Sequence, residues 1–465
     1  MAYDIVIRNG TVVTAEETAE RDVAVEGEKI AAVEKNLPAG SGKREIDAKG
    51  KYVFPGGIDV HVHLQLPFCG TVSADGFASG TRAAARGGVT TLIDFAIQDA
   101  EKGLMAGIEA RKKEADGNVF VDYGLHGIIT KWSGAVSDEM KTCVSEGIPT
   151  FKMFMIYEKE GWQSDDAALY QALGRAKDLG ATIMVHAESQ KVLDLLIGRY
   201  SKMKDEVKAY GHVLSRPHFI EEEAVQRAIK WAEVTGGTLY IVHMSSGPSA
   251  DLVKAGRKKG VNVFAETCPQ YCILDDELFK GENGHLYATC PQIRTKEDNR
   301  RLWEGLAHGE ISIMATDTCT FDTKQKAMWE GDFTKIPYGL PGVETVVPAA
   351  YTFGFKADRF SINRLVELTS ANPARFMGLY PEKGTIKAGS DADITIVSPD
   401  KTKVIDHKEL ATNCDWSPFQ GMEMGGFPDI TLSRGAVVVE DGAFVGKEGH
   451  GKFLKRKPGG WKLLG

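Results

Sequence analysis

The sequence lacks the features of secreted, membrane and nucleic-acid-binding proteins. Cysteine occurs only seven times in 465 residues, an odd number without a Cys-x-x-Cys pair, which favours free thiols and a cytoplasmic location. No stretch approaches the ~18 consecutive apolar residues of a membrane helix, and the first residues do not resemble a secretory leader. Acidic residues (64) outnumber basic ones (56), so the net charge of −8 argues against a nucleic-acid partner.

Both ends of the chain are rich in short apolar segments of β type. These segments are residues 4–13, 22–33, 51–54, 384–397 and 430–439. Turn signals lie between them at Asn9-Gly10 and Glu26-Gly27. Because neither end is long enough to form a sheet domain alone, we predict that residues 1–54 and 375–446 together form one small β-sandwich domain.

The middle of the chain alternates strand-length apolar segments with Ala/Glu/Lys-rich stretches of helical period. The eight apolar segments are residues 58–63, 90–95, 121–126, 150–155, 182–188, 239–244, 262–267 and 311–317. Continuous apolar strands separated by helices are typical of a parallel sheet buried on both faces. Eight such units predict an α/β fold in which residues 55–374 form a (β/α)8 TIM-like barrel. An open doubly wound sheet is the alternative, although no Gly-x-Gly-x-x-Gly motif follows a strand to support a nucleotide site.

Polar residues stand late in five of the predicted strands, where a barrel carries its catalytic groups. They are His61, His63, Lys152, His186, His243 and Asp317. A single strand histidine is usually a hydrogen-bonded core residue, and we interpret His126 in this way. His61 and His63, however, share one face of a strand, and imidazole and carboxylate groups are common ligands of catalytic Zn²⁺. The whole set therefore predicts a metal site.

Lys152 lies between apolar neighbours, in the sequence Phe151-Lys152-Met153-Phe154. Such surroundings would desolvate its ammonium group and lower its pKa. A neutral amine can react with CO₂ to form a carbamate, whose two oxygens are able to bridge two metals. The alternative is a lysine whose ammonium group reaches the solvent at the barrel mouth.

Six segments of the chain, taken in order, resemble the dihydropyrimidinase/hydantoinase branch of the amidohydrolase superfamily. They are residues 55–63 (PGGIDVHVH), 151–152 (FK), 185–188 (VHAE), 241–245 (IVHMS), 266–271 (ETCPQY) and 315–317 (ATD). The similarity is greatest to bacterial D-hydantoinases and phenylhydantoinases, and it covers nearly the whole chain. His-x-His alone is a weak signal, whereas six motifs in one order are a strong one.

The resemblance implies a hydrolase that opens the ring amide of hydantoins or dihydropyrimidines to give N-carbamoyl amino acids. It implies two divalent metal ions, Zn²⁺ or alternatively Mn²⁺ or Co²⁺, that share a hydroxide as nucleophile. The implied ligands are His61, His63 and Asp317 for one metal, His186 and His243 for the other, and carboxylated Lys152 between them. Asp317 would also transfer the proton, and Tyr157 would donate its hydroxyl to the developing oxyanion.

The loops after two of the strands predict an apolar substrate pocket. The residues that follow the first strand are Leu64, Leu66 and Phe68, and those of the fourth strand and its loop are Phe154, Tyr157 and Trp162. The resemblance adds Cys290 and Thr345 as positions that contact the substrate ring, mainly through backbone groups. Together these residues predict a cyclic ureide or imide with an apolar substituent as the substrate.

Three positions depart from the pattern of the family. Thr318 stands where a histidine is usual, Cys290 where a serine is usual, and Thr345 where an asparagine is usual. The loss of the histidine bears on the orientation and pKa of Asp317. The other two changes leave the identity of the ring substrate open.

Other functions within the same superfamily are the competing hypotheses. A dihydroorotase would carry an arginine at position 65 to bind a carboxylate, but the residue there is Gln65. An allantoinase or another cyclic imide or ureide hydrolase shares more of the motifs. A non-catalytic scaffold of the same fold is disfavoured because all six ligand positions are filled.

The last segment, residues 447–465, carries apolar residues on a glycine-rich arm that has no core of its own. We predict that it contacts another chain in a homo-oligomer, and the resemblance implies a homotetramer.

Overall fold

A computed structural model describes residues 3–464. Met1, Ala2 and Gly465, which fall at the outer limits of the predicted terminal segments, lie outside the described residues. No helix in the described part of the chain combines the length and the apolar character needed to cross a bilayer.

Eight parallel strands form the central sheet, and their order in the sheet follows their order in the chain. The strands are β1 (Gly57–Val62), β2 (Val89–Ile97), β3 (Asp122–Ile128), β4 (Thr150–Phe154), β5 (Thr182–His186), β6 (Thr238–Ile241), β7 (Val263–Thr267) and β8 (Ile313–Met314). A bridge between Val62 and Thr318 joins the two ends of the sheet. The predicted barrel is therefore confirmed, with one strand in each of the eight apolar segments.

Helices surround the barrel. The longer ones are Phe77–Arg86, Leu104–Ala115, Gly134–Ser145, Asp166–Leu179, Gln190–Tyr200, His218–Thr235, Gly247–Lys258 and Lys296–His308. Shorter α-helices are Lys204–Val207, Gly211–Leu214, Pro269–Ile273, Thr323–Lys326, Val346–Ala349, Ile362–Val366 and Asn372–Phe376, and π-helical turns are Ala350–Phe355 and Glu367–Ala371. The sequence sets their limits: for example, a capping box of Thr295 and Asp298 begins the last long helix, and Gly309 ends it at a φ of 88°.

Side chains that point into the barrel form stacked layers. The ring of Phe95 lies 4.6 Å from His61, 4.7 Å from His63 and 4.5 Å from His126, measured between ring centroids. His126 is hydrogen-bonded to Thr150 Oγ1 at 2.6 Å and to the carbonyl of Val60 at 2.9 Å. His126 is thus a core residue one layer below the rim.

Strands from both chain ends share a second, mixed sheet of nine strands. In spatial order these are Ala443–Phe444, Ala436–Glu440, Pro428–Ser433, Ile394–Val397, Tyr52–Pro55, Tyr3–Val13, Thr18–Glu26 and Lys29–Glu34, with Gly42–Asp47 also paired to Tyr3–Val13. The ends meet where Tyr52–Pro55 pairs antiparallel with Ile394–Val397. The sheet buries an apolar core of its own, which includes Ile7, Val23 and Ile394.

The last residues run across the amino-terminal ends of β3, β4 and β5. The amide of Leu454 donates to the carbonyl of Tyr123 at 2.7 Å, and that of Arg456 donates to Gly147 at 2.9 Å. Gly147 has a φ of +86°, and a Cβ there would lie 2.5 Å from Cα of Lys455, so this docking needs a glycine. Apolar tail residues such as Phe453 and Leu454 pack on the same chain, and they need no second chain to cover them.

Candidate metal centre and substrate pocket

Three of the predicted ligands converge at the carboxyl ends of β1 and β8. Nε2 of His61 lies 3.2 Å and Nε2 of His63 lies 3.3 Å from Oδ1 of Asp317. One ligand atom from each of these residues falls within 4.8 Å of the other two. His61 is fully buried and Asp317 is 9% exposed, so this group of ligands lies well inside the rim. We call it the first position.

The other three predicted ligands lie beside the first position. Nζ of Lys152, from the middle of β4, is 3.5 Å from Nε2 of His243. The ring centroids of His186 and His243 are 4.6 Å apart, and those of His61 and His243 are 5.3 Å apart. Lys152, His186 and His243 are all buried, and we call them the second position.

Burial sets the protonation of these groups in favour of metal binding. Desolvation lowers the pKa of His61 and of His243 well below the ordinary value, and nearby Lys152 adds to the effect. Desolvation also lowers the pKa of Lys152 to about 8, although the negative charges of Asp317 and Glu266 act to raise it. Neutral imidazoles are the form that binds metals, and a partly neutral lysine is the form that reacts with CO₂.

Two buried glutamates contact the ligand histidines, and sequence reasoning missed both roles. Glu266 is hydrogen-bonded to Nδ1 of His61, and Oε2 of Glu188 lies 2.7 Å from Nε2 of His186. Both glutamates are fully buried. The signal was present in the sequence, because Glu188 follows His186 by two residues and Glu266 is the penultimate residue of β7, both inside the motifs quoted above.

The residues fit a pair of metal ions. Nε2 of His61 is buried and makes no hydrogen bond although it faces the carboxylate of Asp317. Buried polar atoms without partners are rare in proteins, and a bound metal satisfies such nitrogens. Two such positions, the second of which contains a desolvated lysine, fit a centre of two metal ions.

A further acidic cluster does not fit a cation. Asp122, Asp391 and Asp393 come close together beneath the barrel, yet Nζ of Lys383 lies 2.8, 3.0 and 2.5 Å from their respective oxygens. The lysine ammonium occupies the place among the three carboxylates that a metal cation would take, and the cluster ties β3 to the second sheet.

A pocket opens above the metal ligands, and its walls are mainly aromatic. The ring of Phe68 stacks on Trp162 at 5.9 Å, and Phe154 lies 5.5 Å from Trp162 and 5.5 Å from Tyr157. Leu66, Ile128 and Tyr338 complete the apolar lining. Of the described residues that line it, Lys152 is the only lysine and there is no arginine.

Tyr157 lies at the junction between this wall and the ligands. Its ring centroid is 5.5 Å from that of His186. Burial raises the pKa of its hydroxyl well above the ordinary value, so the phenol keeps its proton and can donate it in a hydrogen bond. Tyr157, His243 and Asp317 have φ angles of 72°, 38° and 54°. Such backbone strain in residues other than glycine is concentrated at functional sites.

The structure places some of the predicted substrate-contact residues in the pocket and others outside it. Phe68, Phe154, Tyr157, Trp162 and Cys290 line the pocket. Leu64 does not, because its side chain packs on the helix Phe77–Arg86, where a Cβ at Gly80 would lie 2.3 Å from it. Leu66, which was predicted together with Leu64, does line the pocket.

The side chain of Thr345 also lies outside the pocket. Its hydroxyl donates to the carbonyl of Gly342 at 2.9 Å, inside the turn Val343–Thr345. Thr318, at the other departure from the family pattern, donates to Thr316 Oγ1 at 2.7 Å, and Thr316 donates to Asp59 at 2.6 Å. None of these three threonines is among the residues that line the pocket.

Lys326 supports one wall of the pocket from behind. Its side chain is fully buried, and Nζ donates to the carbonyls of Ala288 at 2.9 Å and Pro337 at 2.8 Å. The residues that follow these carbonyls, including Cys290 and Tyr338, line the pocket. Burial lowers the pKa of Lys326 to about 7.

The strand ends of this (β/α)8 barrel bring together four histidines, a lysine and an aspartate. This combination of fold and site defines a metal-dependent hydrolase. The chain belongs to the Amidohydrolase family, whose family model matches residues 52–438. The resemblance found in the motifs is thereby confirmed.

Named relatives agree over nearly the full length. The chain is 42% identical to the D-hydantoinase of Geobacillus stearothermophilus over 454 residues, which cover 97% of this chain and 96% of the relative. It is 38% identical to a D-phenylhydantoinase of Escherichia coli O7:K1, with 98% of each chain covered. The crystal structure of dihydropyrimidinase from Brevibacillus agri NCHU1002 superimposes with a TM-score of 0.95 at 39% identity, covering 97% of this chain and 98% of that one.

Proposed function

We propose that the protein hydrolyses the ring amide of hydantoins or dihydropyrimidines and releases N-carbamoyl amino acids. The observation that carries this proposal is the convergence of six side chains of metal-ligand type at the base of a pocket with aromatic walls. The named relatives act on rings of this class, according to their names, and share 38–42% of the sequence.

The roles of the residues follow from their positions. His61, His63 and Asp317 would hold one divalent cation, and His186 and His243 would hold a second, with Lys152 between them. The two cations would supply an activated water and polarise the ring carbonyl. Asp317 would accept a proton at its carboxylate and pass it to the departing ring nitrogen, while the Tyr157 hydroxyl donates to the developing oxyanion. The aromatic walls would bind the ring substituent and exclude water.

Two finer assignments concern the centre itself. We propose Zn²⁺ as the resident metal, with Mn²⁺ and Co²⁺ as alternatives, because histidine nitrogen dominates the donor set. We also propose that Lys152 is carboxylated, since its amine is buried, has a lowered pKa and lies 3.5 Å from Nε2 of His243.

The remaining proposals concern the whole molecule. All seven cysteines are free thiols, which supports a cytoplasmic location. Shared pairing of the chain ends supports a small β domain made of residues 1–54 and 375–446, beside a barrel of residues 55–374. A homotetramer, with a contact from the tail of residues 447–465, rests on the family resemblance alone.

A metal analysis and a substrate panel test the function. Purified protein should contain two metal ions per chain and open hydantoin, 5-phenylhydantoin and dihydrouracil, as followed spectrophotometrically. Allantoin, succinimide and dihydroorotate are the comparison rings. Absence of stoichiometric metal together with failure to open any ring would overturn the proposal. Preference for allantoin or succinimide would instead assign the protein as an allantoinase or a cyclic imide hydrolase.

A further inference from the structure

Each position of the metal centre contains one histidine that is hydrogen-bonded to a buried glutamate. His61, in the first position, contacts Glu266 through Nδ1 and faces Asp317 with Nε2. His186, in the second position, contacts Glu188 through Nε2, which leaves Nδ1 as the nitrogen available to a metal. The two histidines are therefore held through opposite ring nitrogens.

Both glutamates are themselves fixed by other groups. Glu266 accepts hydrogen bonds from the Tyr240 hydroxyl at 2.9 Å and from the backbone amide of His243 at 3.1 Å. Glu188 accepts one from the Cys290 thiol at 3.2 Å, and its other oxygen lies 3.7 Å from Nε of Arg216. Neither carboxylate is free to follow a rotating imidazole, so each holds its histidine in one orientation.

The chemistry of such a contact is general. A carboxylate that accepts the N–H of an imidazole selects the tautomer in which the opposite nitrogen carries the lone pair. It also makes that nitrogen a stronger donor, and its loss costs roughly 10- to 100-fold in metal affinity. When two histidines of a paired site each have such a contact, each metal has one histidine ligand that is oriented by its own carboxylate.

We propose that Glu188 and Glu266 are positioning residues, Glu188 for the second metal and Glu266 for the first. This inference rests on the proposed binuclear centre. The contacts make the two residues unequal. Glu188 contacts a ligand of the second position only, whereas Glu266 also bonds the backbone of His243 and so touches both positions.

The variants are Glu188→Ala, Glu188→Gln and Glu266→Ala, with Glu344→Gln as the matched control. Glu344 is a buried carboxylate that pairs with Arg86 outside the metal centre. Metal content is measured after dialysis against buffered zinc, and circular dichroism with a thermal melt verifies folding. We expect Glu188→Ala to keep one metal and to bind the second 10- to 100-fold more weakly.

The other variants sharpen the result. Glu188→Gln keeps an acceptor oxygen without the charge, so we expect an intermediate affinity for the second metal. Glu266→Ala should weaken both metals, and Glu344→Gln should retain both. In a double-mutant cycle, Glu188→Ala should add nothing in a His186→Ala background and should act fully in a His63→Ala background.

Two results would overturn the inference. One is retention of both metals at the affinity of the unmodified protein in folded Glu188→Ala. The other is an effect of Glu188→Ala that persists after His186 is removed. An unmodified protein that binds no stoichiometric metal would instead contradict the proposed function, so the two failures are distinguishable.

Discussion

His61 and Asp317 are 256 positions apart in the chain, yet Nε2 of one lies 3.2 Å from Oδ1 of the other. This contact forms where β8 returns to β1, at the Val62–Thr318 bridge that joins the two ends of the sheet. The first metal position therefore depends on closure of the barrel. The second position is built from β4, β5 and the segment after β6.

The first prediction concerns Lys152. Lys152→Met should leave at most one metal per chain and abolish nearly all turnover, because the proposed bridging carboxylate is lost. Lys326→Met is the control, since it removes an equally buried lysine with a lowered pKa outside the ligands. Elemental analysis and turnover of hydantoin decide the result. Two metals and normal turnover in Lys152→Met would show that Lys152 does not bridge.

The second prediction concerns Tyr157. Replacement by phenylalanine keeps the aromatic wall and removes only the hydroxyl. Loss of one oxyanion donor typically lowers kcat by about 10²- to 10³-fold, and we expect a fall of that order with metal content unchanged. Steady-state kinetics with 5-phenylhydantoin measure it. A rise in KM at constant kcat would assign Tyr157 to substrate binding instead.

The third prediction is a dependence of stability on pH that arises from Lys326. Its pKa is about 7 in the folded chain and about 10.4 when unfolded, so between these values the unfolded state binds the additional proton. The free energy of unfolding should rise with pH across this window, at a slope of at most about 1.4 kcal/mol per pH unit. Below pH 7 Lys326 is protonated in both states, so the free-energy cost of burying its ammonium group no longer changes with pH.

Urea unfolding of the unmodified protein and of Lys326→Met, from pH 6 to pH 10, isolates this contribution. The difference in free energy between the two proteins should change within the window and level off below it. A constant difference at every pH would mean that Lys326 has the same pKa in both states.

The fourth prediction concerns the charge of the substrate. The described walls of the pocket carry no arginine, so a carboxylate substituent would lose its hydration without gaining a partner. We expect kcat/KM for 5-phenylhydantoin to exceed that for dihydroorotate by at least tenfold, or about 1.4 kcal/mol of transition-state binding. Leu66→Arg should reduce this ratio. Equal turnover of both rings by the unmodified protein would contradict the interpretation of the walls.

The fifth prediction concerns the tail. A chain truncated after residue 447 loses the segment that covers the amino-terminal ends of β3, β4 and β5, so its melting temperature should fall. Light scattering on both chains tests assembly, for which we expect the full chain to be a tetramer. A truncated chain with unchanged mass would contradict the proposal that the tail supports assembly.

The barrel and the convergence of the candidate metal ligands were predictable because they depend on local pattern. Eight apolar segments separated by helices determine the fold, and parallel strands bring residues at their carboxyl ends to one rim. His61, His186 and Asp317 needed no further information. Pairing between the chain ends was also accessible, since neither end could form a sheet domain alone.

Positions beyond the strand ends were not predictable in the same way. The alternation of side chains stops at Gln65, whose φ is 50°, and the loop turns Leu64 away from the pocket and Leu66 into it. Thr345 lies in a turn whose direction depends on contacts distant in sequence. The sequence places Glu188 and Glu266 near the ends of strands that carry or adjoin the predicted ligands, but a one-dimensional pattern does not specify which ring nitrogen each histidine presents to its glutamate.

The docked tail has a consequence for biosynthesis. Arg456 is buried below β4, where Nη2 donates to Oγ1 of Thr150 at 2.7 Å, and Thr150 contacts His126 in the layer beneath the metal ligands. These contacts join β4 to a segment 306 positions further along the chain. A nascent chain in which residue 456 has not yet been made therefore carries every predicted metal ligand above an open barrel floor, and the floor closes only after that segment has been synthesised.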